Sequence, residues 1–241
     1  LMTIKQVESW QGQGLSLKAL EGNFIDALWD SQPEPSKSQV TCFPHEVAGR
    51  KALEKIDDLI KAGQGSDVLL VTEPEAIAWL LNVRGGDTEF TPVVQSALFV
   101  DRSGLVFWVV DEKRAGQAVL EHLDLGGRLR FVAPDALVSF IKEMAERWQT
   151  IGVYPDITPY IYKEYFEEQG AVLKDIGHPI AEARAVKTHQ EQDAIRDIHV
   201  LDGAAVCRFL YWVQECDQKG VPFTEIEAAE KIISRIDADR I

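Results

Sequence analysis

The stretch DVLLVTEPEAIAWLLNVRGGD, residues 67–87, decides the fold class, because it joins a strand to a helix and then to a loop. DVLLVT (67–72) is a short run rich in β-branched residues and predicts a buried strand. Thr72 followed three residues later by Glu75, with a proline in the first turn, is typical of a helix start. The helix is predicted to end near Leu81, where NVRGGD breaks it.

Downstream of this loop, strands and helices alternate. QSALFV (95–100) and LVFWVV (105–110) predict an antiparallel hairpin, with Gly104 in the connecting turn at a position that tolerates positive φ. The elements predicted next are a helix capped by Asp111 and ending at Leu123, a strand at 128–133, a helix at 134–148, a strand at 150–155, a helix at 157–170 and a strand at 171–176. This order predicts an α/β layer sandwich with a mixed sheet, over residues 46–183.

Upstream, the α/β domain is predicted to open with a helix over 46–62, which Gly63 and Gly65 stop. The Pro/Ser-rich segment SQPEPSKSQ (31–39) predicts an extended connector. We therefore expect a domain boundary near residue 45.

Residues 184–241 are predicted to form two helices. Thr188 with Glu191 is a capping box that starts the first, and Thr224 with Glu227 starts the second. The first helix carries one apolar stripe: Ile195, Ile198, Leu201, Ala205, Phe209, Trp212 and Val213. Two helices are too few to bury a core alone, so this stripe lacks an evident partner.

Composition and charge exclude several classes of function. The 241 residues are 46% hydrophobic and 27% charged, as in ordinary globular proteins. Their net charge of −14 disfavours phosphate backbones and anionic lipids, so we expect no nucleic-acid or membrane partner. No run approaches the roughly eighteen apolar residues of a membrane helix, and three scattered cysteines form no disulfide framework. We expect a cytoplasmic protein.

The common catalytic motifs do not occur. HExxH, a phosphate-binding GxxxxGK[ST], a GxSxG elbow and a dinucleotide fingerprint after a strand are all lacking. The histidines show no metal-binding spacing, and each is expected to be structural or exposed: His45, His122, His178, His189 and His199. The tryptophans are expected in the core: Trp10, Trp29, Trp79, Trp108, Trp148 and Trp212. We predict no catalytic residue and no metal ligand in this sequence.

NVRGGDTEF (82–90) is the one polar segment that suggests a site. Asn82, Arg84 and Asp87 cluster there with two glycines, between a helix and a strand. A guanidinium in such a loop could bind a carboxylate through two hydrogen bonds. The same features are equally typical of a surface turn, and chemistry alone leaves both interpretations open.

Three segments of the chain, at 21–40, 77–100 and 182–213, carry residues in a recognisable order. They are Asn23, Asp26, Trp29, Pro33 and Pro35 in the first, Trp79, Leu80, Asn82, Arg84, Gly85, Asp87 and Pro92 in the second, and Ala185, Lys187, Glu191 and Arg196 in the third. In these segments the sequence resembles the three-domain X-Pro aminopeptidases, the aminopeptidase P group of the pita-bread metallopeptidases.

The resemblance implies a domain organisation. Residues 1–45 would be the end of a first N-terminal domain and its Pro-rich connector. Residues 46–183 would be a creatinase/prolidase N-terminal-like middle domain with a mixed sheet. Residues 184–241 would be the first helices of an incomplete pita-bread catalytic domain.

The resemblance also implies an activity, the removal of the N-terminal residue from peptides with proline in second position. Family members use two divalent metal ions, commonly manganese, held by two aspartates, a histidine and two glutamates. None of these ligands can be placed on this sequence, and we expect them beyond Ile241. The 241-residue chain is therefore expected to hold no metal and to be inactive alone.

In that family the first and middle domains overhang the metal site and limit the length of the substrate. The resemblance therefore implies that Asn82, Arg84 and Asp87 face the peptide substrate, with Arg84 in electrostatic contact with it. Lys187 and Glu191 are expected to be structural, at a helix start. The resemblance leaves a homodimer open.

Both ends of the sequence suggest a fragment, because residue 1 is leucine and residues 225–241 stop inside a helical pattern. Two other hypotheses remain open. A stand-alone α/β binding or dimerisation module is disfavoured by the unpartnered stripe. A prolidase or a creatinase-type hydrolase stays open because fold alone does not select among these enzymes, but it is disfavoured by the connector residues Asn23 to Pro35, which two-domain members of the family lack.

Overall fold

The structure is a computed structural model that describes residues 2–20 and 22–238, with side chains described to Ser234. The chain divides into two compact units, Leu1–Val186 and Lys187–Ile241. In the described residues, no helix has the length and apolar character needed to cross a membrane.

Strands of the first unit form one large sheet and one small ribbon. The strands are β1 Thr41–Cys42, β2 Val68–Val71, β3 Val83–Arg84, β4 Ala97–Asp101, β5 Val106–Val109, β6 Leu129–Val132, β7 Thr150–Val153 and β8 Val172–Asp175. The large sheet has the order β6-β5-β4-β2-β7-β8, and β1 pairs with β3 in the antiparallel ribbon.

The large sheet is mixed. β4 runs antiparallel to both β2 and β5, whereas β2, β7 and β8 are parallel to one another, and so are β5 and β6. The hairpin β4–β5 turns at Gly104, whose φ is +92°. The predicted α/β fold with a mixed sheet is confirmed.

Helices cover both faces of this sheet. In the first unit they are α1 Ile4–Gly12, α2 His45–Ala48, α3 Ala52–Ala62, α4 Pro74–Leu81, α5 Gln117–Leu123, α6 Leu137–Met144, α7 Tyr160–Glu167 and α8 Pro179–Ala185. The second unit contains α9 His189–Lys219 and α10 Glu225–Ala238.

The core has two layers because successive strand residues point to opposite faces of the sheet. One layer packs Leu69 and Val71 of β2 against helices α3, α4 and α5. The other packs Val68 and Leu70 against α6, α7 and the buried ring of Trp148. Because both layers are apolar, the inner strands are hydrophobic along their whole length, as the run 67–72 predicted.

Two predicted helices have different bounds in the structure. The helix predicted over 46–62 is two helices, α2 and α3, because Gly49 adopts a left-handed conformation (φ +69°) that ends α2. The helix predicted over 134–148 is a 3₁₀ turn followed by α6, which ends at Met144.

Two predicted caps also differ. Asp111 accepts a hydrogen bond from the Lys113 amide and caps only a 3₁₀ turn, and α5 begins after Gly116. At α4 the N-cap is Glu73 rather than Thr72. The Thr72 hydroxyl is buried and has no hydrogen-bond partner among the described residues.

Residues before the connector pack on the same unit as the α/β domain. A capping box of Thr3 and Gln6 starts α1, which the sequence analysis did not predict. The Ile4 amide donates to the Thr158 carbonyl over 2.9 Å, and Glu8 pairs with Lys163 of α7. The division of the sequence at residues 45 and 183 stays a prediction.

The tryptophans do not all lie in the core. Trp108 and Trp148 are fully buried, and Trp79 and Trp212 are partly buried. Trp10 and Trp29 are 44% and 48% exposed, so the prediction is wrong for these two. Both lie in segments that contribute little to the core, since only Ile4 and Val7 are buried among residues 2–20 and 22–39.

The second unit consists of two helices with the predicted starts. The capping boxes of Thr188 with Glu191 and of Thr224 with Glu227 are both present. Trp212 contacts the ring of Phe223, with the ring centroids 4.7 Å apart. Of the described residues in this unit, only Ala205 and Cys216 are buried.

Candidate functional site

The loop after α4 begins at a buried asparagine. Asn82 is 1% exposed and ends α4 in the left-handed conformation (φ 52°, ψ 48°). Its Oδ1 accepts a hydrogen bond from the Lys55 ammonium over 2.7 Å, and its Nδ2 donates to the Arg50 carbonyl over 2.8 Å. Its own carbonyl accepts from the Phe43 amide over 2.8 Å. Asn82 therefore joins the end of α4 to β1, to α3 and to the α2–α3 turn.

Lys55 is a buried cation that belongs to this arrangement. It is 3% exposed on α3, and its ammonium also donates to the Trp79 carbonyl over 2.8 Å. The same ammonium lies 4.1 Å from the centroid of the Trp79 ring. Carbonyl oxygens and an aromatic face thus replace the water that a buried lysine loses.

His45 and His122 complete the group, which we call the Asn82 cluster: Lys55, Asn82, His45 and His122. The two imidazole rings stack with centroids 4.1 Å apart and an angle of 10° between their planes. His122 Nε2 lies 3.2 Å from the Asn82 carbonyl, and His45 Nδ1 lies 3.4 Å from Asn82 Nδ2. Burial and the neighbouring His45 lower the pKa of His122, against the opposing effect of the surrounding carbonyls.

Arg84 lies two residues into the loop, in β3. Its guanidinium is 3.9 Å above the ring of Phe43 and donates to the carbonyls of Ala78 and Val83. Burial lowers the pKa of this half-buried group. The guanidinium retains other N–H donors, so of the three predicted residues it is the one with capacity for a further acceptor.

Asp87 is held by a different set of partners. Its side chain is 2% exposed and pairs with Arg114 over 2.5 Å. Ser38 of the connector donates to the same carboxylate oxygen over 2.7 Å, and the Gln95 amide donates to the other over 2.8 Å. Burial alone would raise the pKa of Asp87, but these hydrogen bonds hold it below its usual value. We call Asp87, Arg114 and Ser38 the connector clamp.

The tip of the loop is a tight turn from Thr88 to Thr91. Phe90 has a φ of +61°, which is rare for a bulky residue, and its side chain is 84% exposed. The side chain of Gln95 donates a hydrogen bond to the Thr88 hydroxyl over 3.2 Å, which holds the start of the turn. The turn therefore presents an exposed aromatic ring.

The three predicted substrate-facing residues thus occupy one loop but play different parts in it. Asn82 and Asp87 hold the two ends of the segment 83–86 through buried contacts, and Arg84 lies between them. That these residues face a substrate stays a prediction. Lys55, the histidine pair and Phe90 could not be identified from the sequence, because their roles depend on distant partners or on a backbone angle.

A second polar cluster lies where the parallel strands β2, β7 and β8 end. His178 Nε2 lies 2.9 Å from a carboxylate oxygen of Glu73, and Arg184 donates to the other oxygen over 3.2 Å. Tyr154 packs on the His178 ring with centroids 4.3 Å apart. The adjoining cleft has a volume of about 30 Å³, which is room for roughly two water molecules. The cluster therefore joins α4 to α8 rather than forming a ligand cavity.

The side chains that could bind a metal ion are dispersed in the described part of the chain. Within residues 2–20 and 22–234, no set of three or more His, Cys, Asp or Glu side chains is placed to hold a metal ion. The described residues therefore do not fit a two-metal centre, which needs several carboxylates.

Known proteins resemble this chain over most of its length. The family model described as "Creatinase/Prolidase N-terminal domain" matches residues 31–191. The chain is similar to a "Probable Xaa-Pro aminopeptidase P" of Aspergillus niger, at 28% identity over 93% of this chain and 38% of the relative. It is also similar to "Aminopeptidase P1" of Arabidopsis thaliana, at 29% identity over 87% and 37%.

Solved structures show the same fold. The X-prolyl aminopeptidase of Caenorhabditis elegans, described as a cytosolic enzyme with a di-nuclear active site, matches with a TM-score of 0.82 at 24% identity. The match covers 96% of this chain and 38% of that one. The Xaa-Pro dipeptidase of Bacillus anthracis matches with a TM-score of 0.58 at 18% identity, over 78% and 49%.

These matches differ in how much of each protein they cover. The chain spans 32% to 38% of the length of the curated relatives given first. The family model, in contrast, covers well over half of this chain. The chain therefore belongs to the creatinase/prolidase N-terminal domain family.

Proposed function

We propose that this chain is part of a cytoplasmic, metal-dependent X-Pro aminopeptidase that removes the N-terminal residue from peptides with proline in second position. Residues 1–45 are assigned to the end of a first domain and its connector. Residues 46–183 are the middle domain, and residues 184–241 are the first helices of the catalytic domain.

The observation that carries the proposal is the extent of the sequence match. Relatives named Xaa-Pro aminopeptidase align over about nine-tenths of this chain. The match therefore includes the connector and the start of α9 as well as the α/β domain. The likeness in fold to the Caenorhabditis elegans enzyme supports it.

We assign two divalent metal ions, as Mn²⁺, to the whole enzyme and none to this chain. The metals would activate the water that attacks the peptide bond. The described residues include no fitting ligand set, so no catalytic step is assigned to them. The 241-residue chain is expected to be inactive alone, with the peptide as substrate of the whole enzyme.

The test compares the 241-residue chain with the polypeptide of the complete reading frame that contains it. Both are incubated with Mn²⁺ and either an X-Pro tripeptide or an X-Ala control, with and without a chelator. We expect the longer polypeptide to cleave only the X-Pro peptide, in a chelator-sensitive way, and the 241-residue chain to cleave neither. Cleavage by the 241-residue chain, or equal cleavage of both peptides, would contradict the proposal.

The same assay separates the two other hypotheses. The fold likeness to the Bacillus anthracis Xaa-Pro dipeptidase favours a dipeptidase as the second candidate. Cleavage of an X-Pro dipeptide but not of the tripeptide would select it. If the longer polypeptide cleaves neither and self-associates at low concentration, a binding or dimerisation module is the better description.

The loop 82–90 is proposed to face the substrate in the whole enzyme, with Arg84 making the electrostatic contact and the buried Asn82 and Asp87 fixing the loop. Arg84→Met is expected to raise KM for the tripeptide about three- to tenfold, with kcat within twofold, because a charge contact made in both ground and transition states affects binding alone. Arg102→Met, at an exposed arginine paired with Asp67, is the matched control. An unchanged KM in Arg84→Met would argue against this role.

A further inference from the structure

The stacked pair of His45 and His122 brings together two helices distant in sequence, α2 and α5. His45 Nε2 lies 3.2 Å from the His122 carbonyl, and His122 Nε2 lies 3.2 Å from the Asn82 carbonyl. Because a carbonyl oxygen only accepts hydrogen bonds, each ring must carry its proton on Nε2.

The hydrogen bonds of the Asn82 side chain independently give the same proton position on His45. The Lys55 ammonium can only donate, so the atom of Asn82 that faces it is Oδ1. The Asn82 Nδ2 then donates to the Arg50 carbonyl and points its other hydrogen towards His45 Nδ1. His45 Nδ1 must therefore be an unprotonated acceptor, and the ring is neutral.

We propose that the His45–His122 pair is a pH-sensitive switch for loop 82–90: the neutral pair holds Asn82 in place, and protonation of His45 displaces Asn82 and changes the backbone of the loop. Protonated His45 would direct an N–H against the Asn82 N–H. The amide cannot rotate to relieve this, because Lys55 and the Arg50 carbonyl fix its orientation. Asn82 and His45 must then separate.

The surroundings of the pair make double protonation costly. Two imidazolium rings at 4.1 Å repel each other, and burial lowers the pKa of His122. The charged groups near the pair include Glu46 of α2, Arg50 of the α2–α3 turn, Lys51 and Lys55 at α3, Glu121 and Asp124 at α5 and Arg84 of β3. Glu46 opposes the fall in the pKa of His122 but not the clash at Asn82.

Asn82 transmits this change to the loop because it is the first residue of the segment and has a left-handed backbone. Its carbonyl holds both Phe43 and His122, and the next residues form β3 against β1. This inference does not depend on the proposed function, since it concerns the conformation of the chain itself.

The test is NMR spectroscopy on the whole 241-residue chain. Long-range ¹H–¹⁵N correlation at pH 7.5 should show both rings neutral with the proton on Nε2. In a pH titration, the backbone amides of residues 82–87 should shift with the same midpoint as the ring signals of His45. A His45 that is charged or protonated on Nδ1 at pH 7.5, or loop amides that ignore its titration, would overturn the proposal.

Substitution gives a second readout. His45→Phe keeps an aromatic ring for stacking but removes Nδ1, so the pH response of the loop amides should fall at least fivefold. His199→Phe, at an exposed position of α9, is the matched control and should leave the response unchanged. A full response in His45→Phe would reject the switch, and the wild-type measurement decides the matter if that variant does not fold.

Discussion

Asn82 combines a strained backbone with a buried hydrogen-bonding role, and the two contributions can be separated. Asn82→Ala should destabilise the first unit by about 3 kcal/mol, because Lys55 loses a buried acceptor and alanine is strained in the left-handed region. Asn82→Gly should recover about 1 kcal/mol of this, since glycine relieves only the strain. Urea unfolding measures both values.

The matched control for Asn82 is Asn23→Ala, at an exposed position, which should change the free energy of unfolding by less than about 0.5 kcal/mol. Equal losses in Asn82→Ala and Asn82→Gly would mean that the left-handed backbone adds no strain.

Asp87 makes the stability of the first unit depend on pH in the acid range. Because the folded state lowers its pKa, the stability that it contributes is complete above the unfolded pKa of about 4 and is lost as pH falls through the lower folded value. Asp87→Asn should therefore cost about 3 kcal/mol at pH 7, by leaving Arg114 without its charge partner. It should also flatten the loss of stability between pH 5 and pH 2.

Thermal unfolding at a series of pH values measures this difference. Asp193→Asn, at an exposed ion pair of α9, should follow the wild type. A slope for Asp87→Asn as steep as that of the wild type would show that other carboxylates carry the acid response.

At the scale of elements, replacing glycine by alanine should have opposite effects on stability in the hairpin β4–β5 and in the helix α9. Gly104→Ala should destabilise by about 1–2 kcal/mol, because its φ is +92° and a Cβ would lie 3.1 Å from the Arg128 guanidinium. Gly203→Ala, in the interior of α9 with open space around it, should instead stabilise by about 0.5–1 kcal/mol. Thermal melts of both variants provide the comparison, and a neutral Gly104→Ala would contradict it.

Elements with strong local signals were predictable from sequence, and those with weak signals were not. The inner strands are continuous apolar runs, and α9 has an apolar stripe and a capping box at its start. In contrast, α1 has a capping box but buries only Ile4 and Val7 and so lacks an apolar stripe, and α8 has a histidine as its N-cap. Gly49 divides a continuous helical pattern because its cost appears only in the backbone conformation.

The contacts of the loop could not be predicted from sequence for a different reason. The sequence identified the segment 82–90 as polar and glycine-rich, but the partners of its side chains lie 27 residues away in both directions, Lys55 for Asn82 and Arg114 for Asp87. No spacing rule reaches over such distances. Whether a polar residue faces a ligand or a buried partner therefore required the fold.

For the whole molecule, the two units differ in how much core each contains. Both apolar layers of the sheet come from residues between Ile4 and Ile180, whereas Lys187–Ile241 buries little in its described part. We expect a chain of residues 1–186 to unfold cooperatively in urea, and a peptide of residues 187–241 to show at most weak helicity. Circular dichroism measures both, and a non-cooperative transition of the 1–186 chain would show that its core is incomplete.

The order of strands in the sheet has a consequence for synthesis on the ribosome. The central strand β2 finds its antiparallel neighbour β4 within thirty residues or so, but its parallel neighbour β7 emerges about eighty residues later. At about 5–20 residues per second, one side of β2 stays unpaired for roughly 4–16 s in every round of translation. A nascent chain at this stage exposes an apolar strand edge. We expect a chaperone that binds extended segments to bind β2 in this interval.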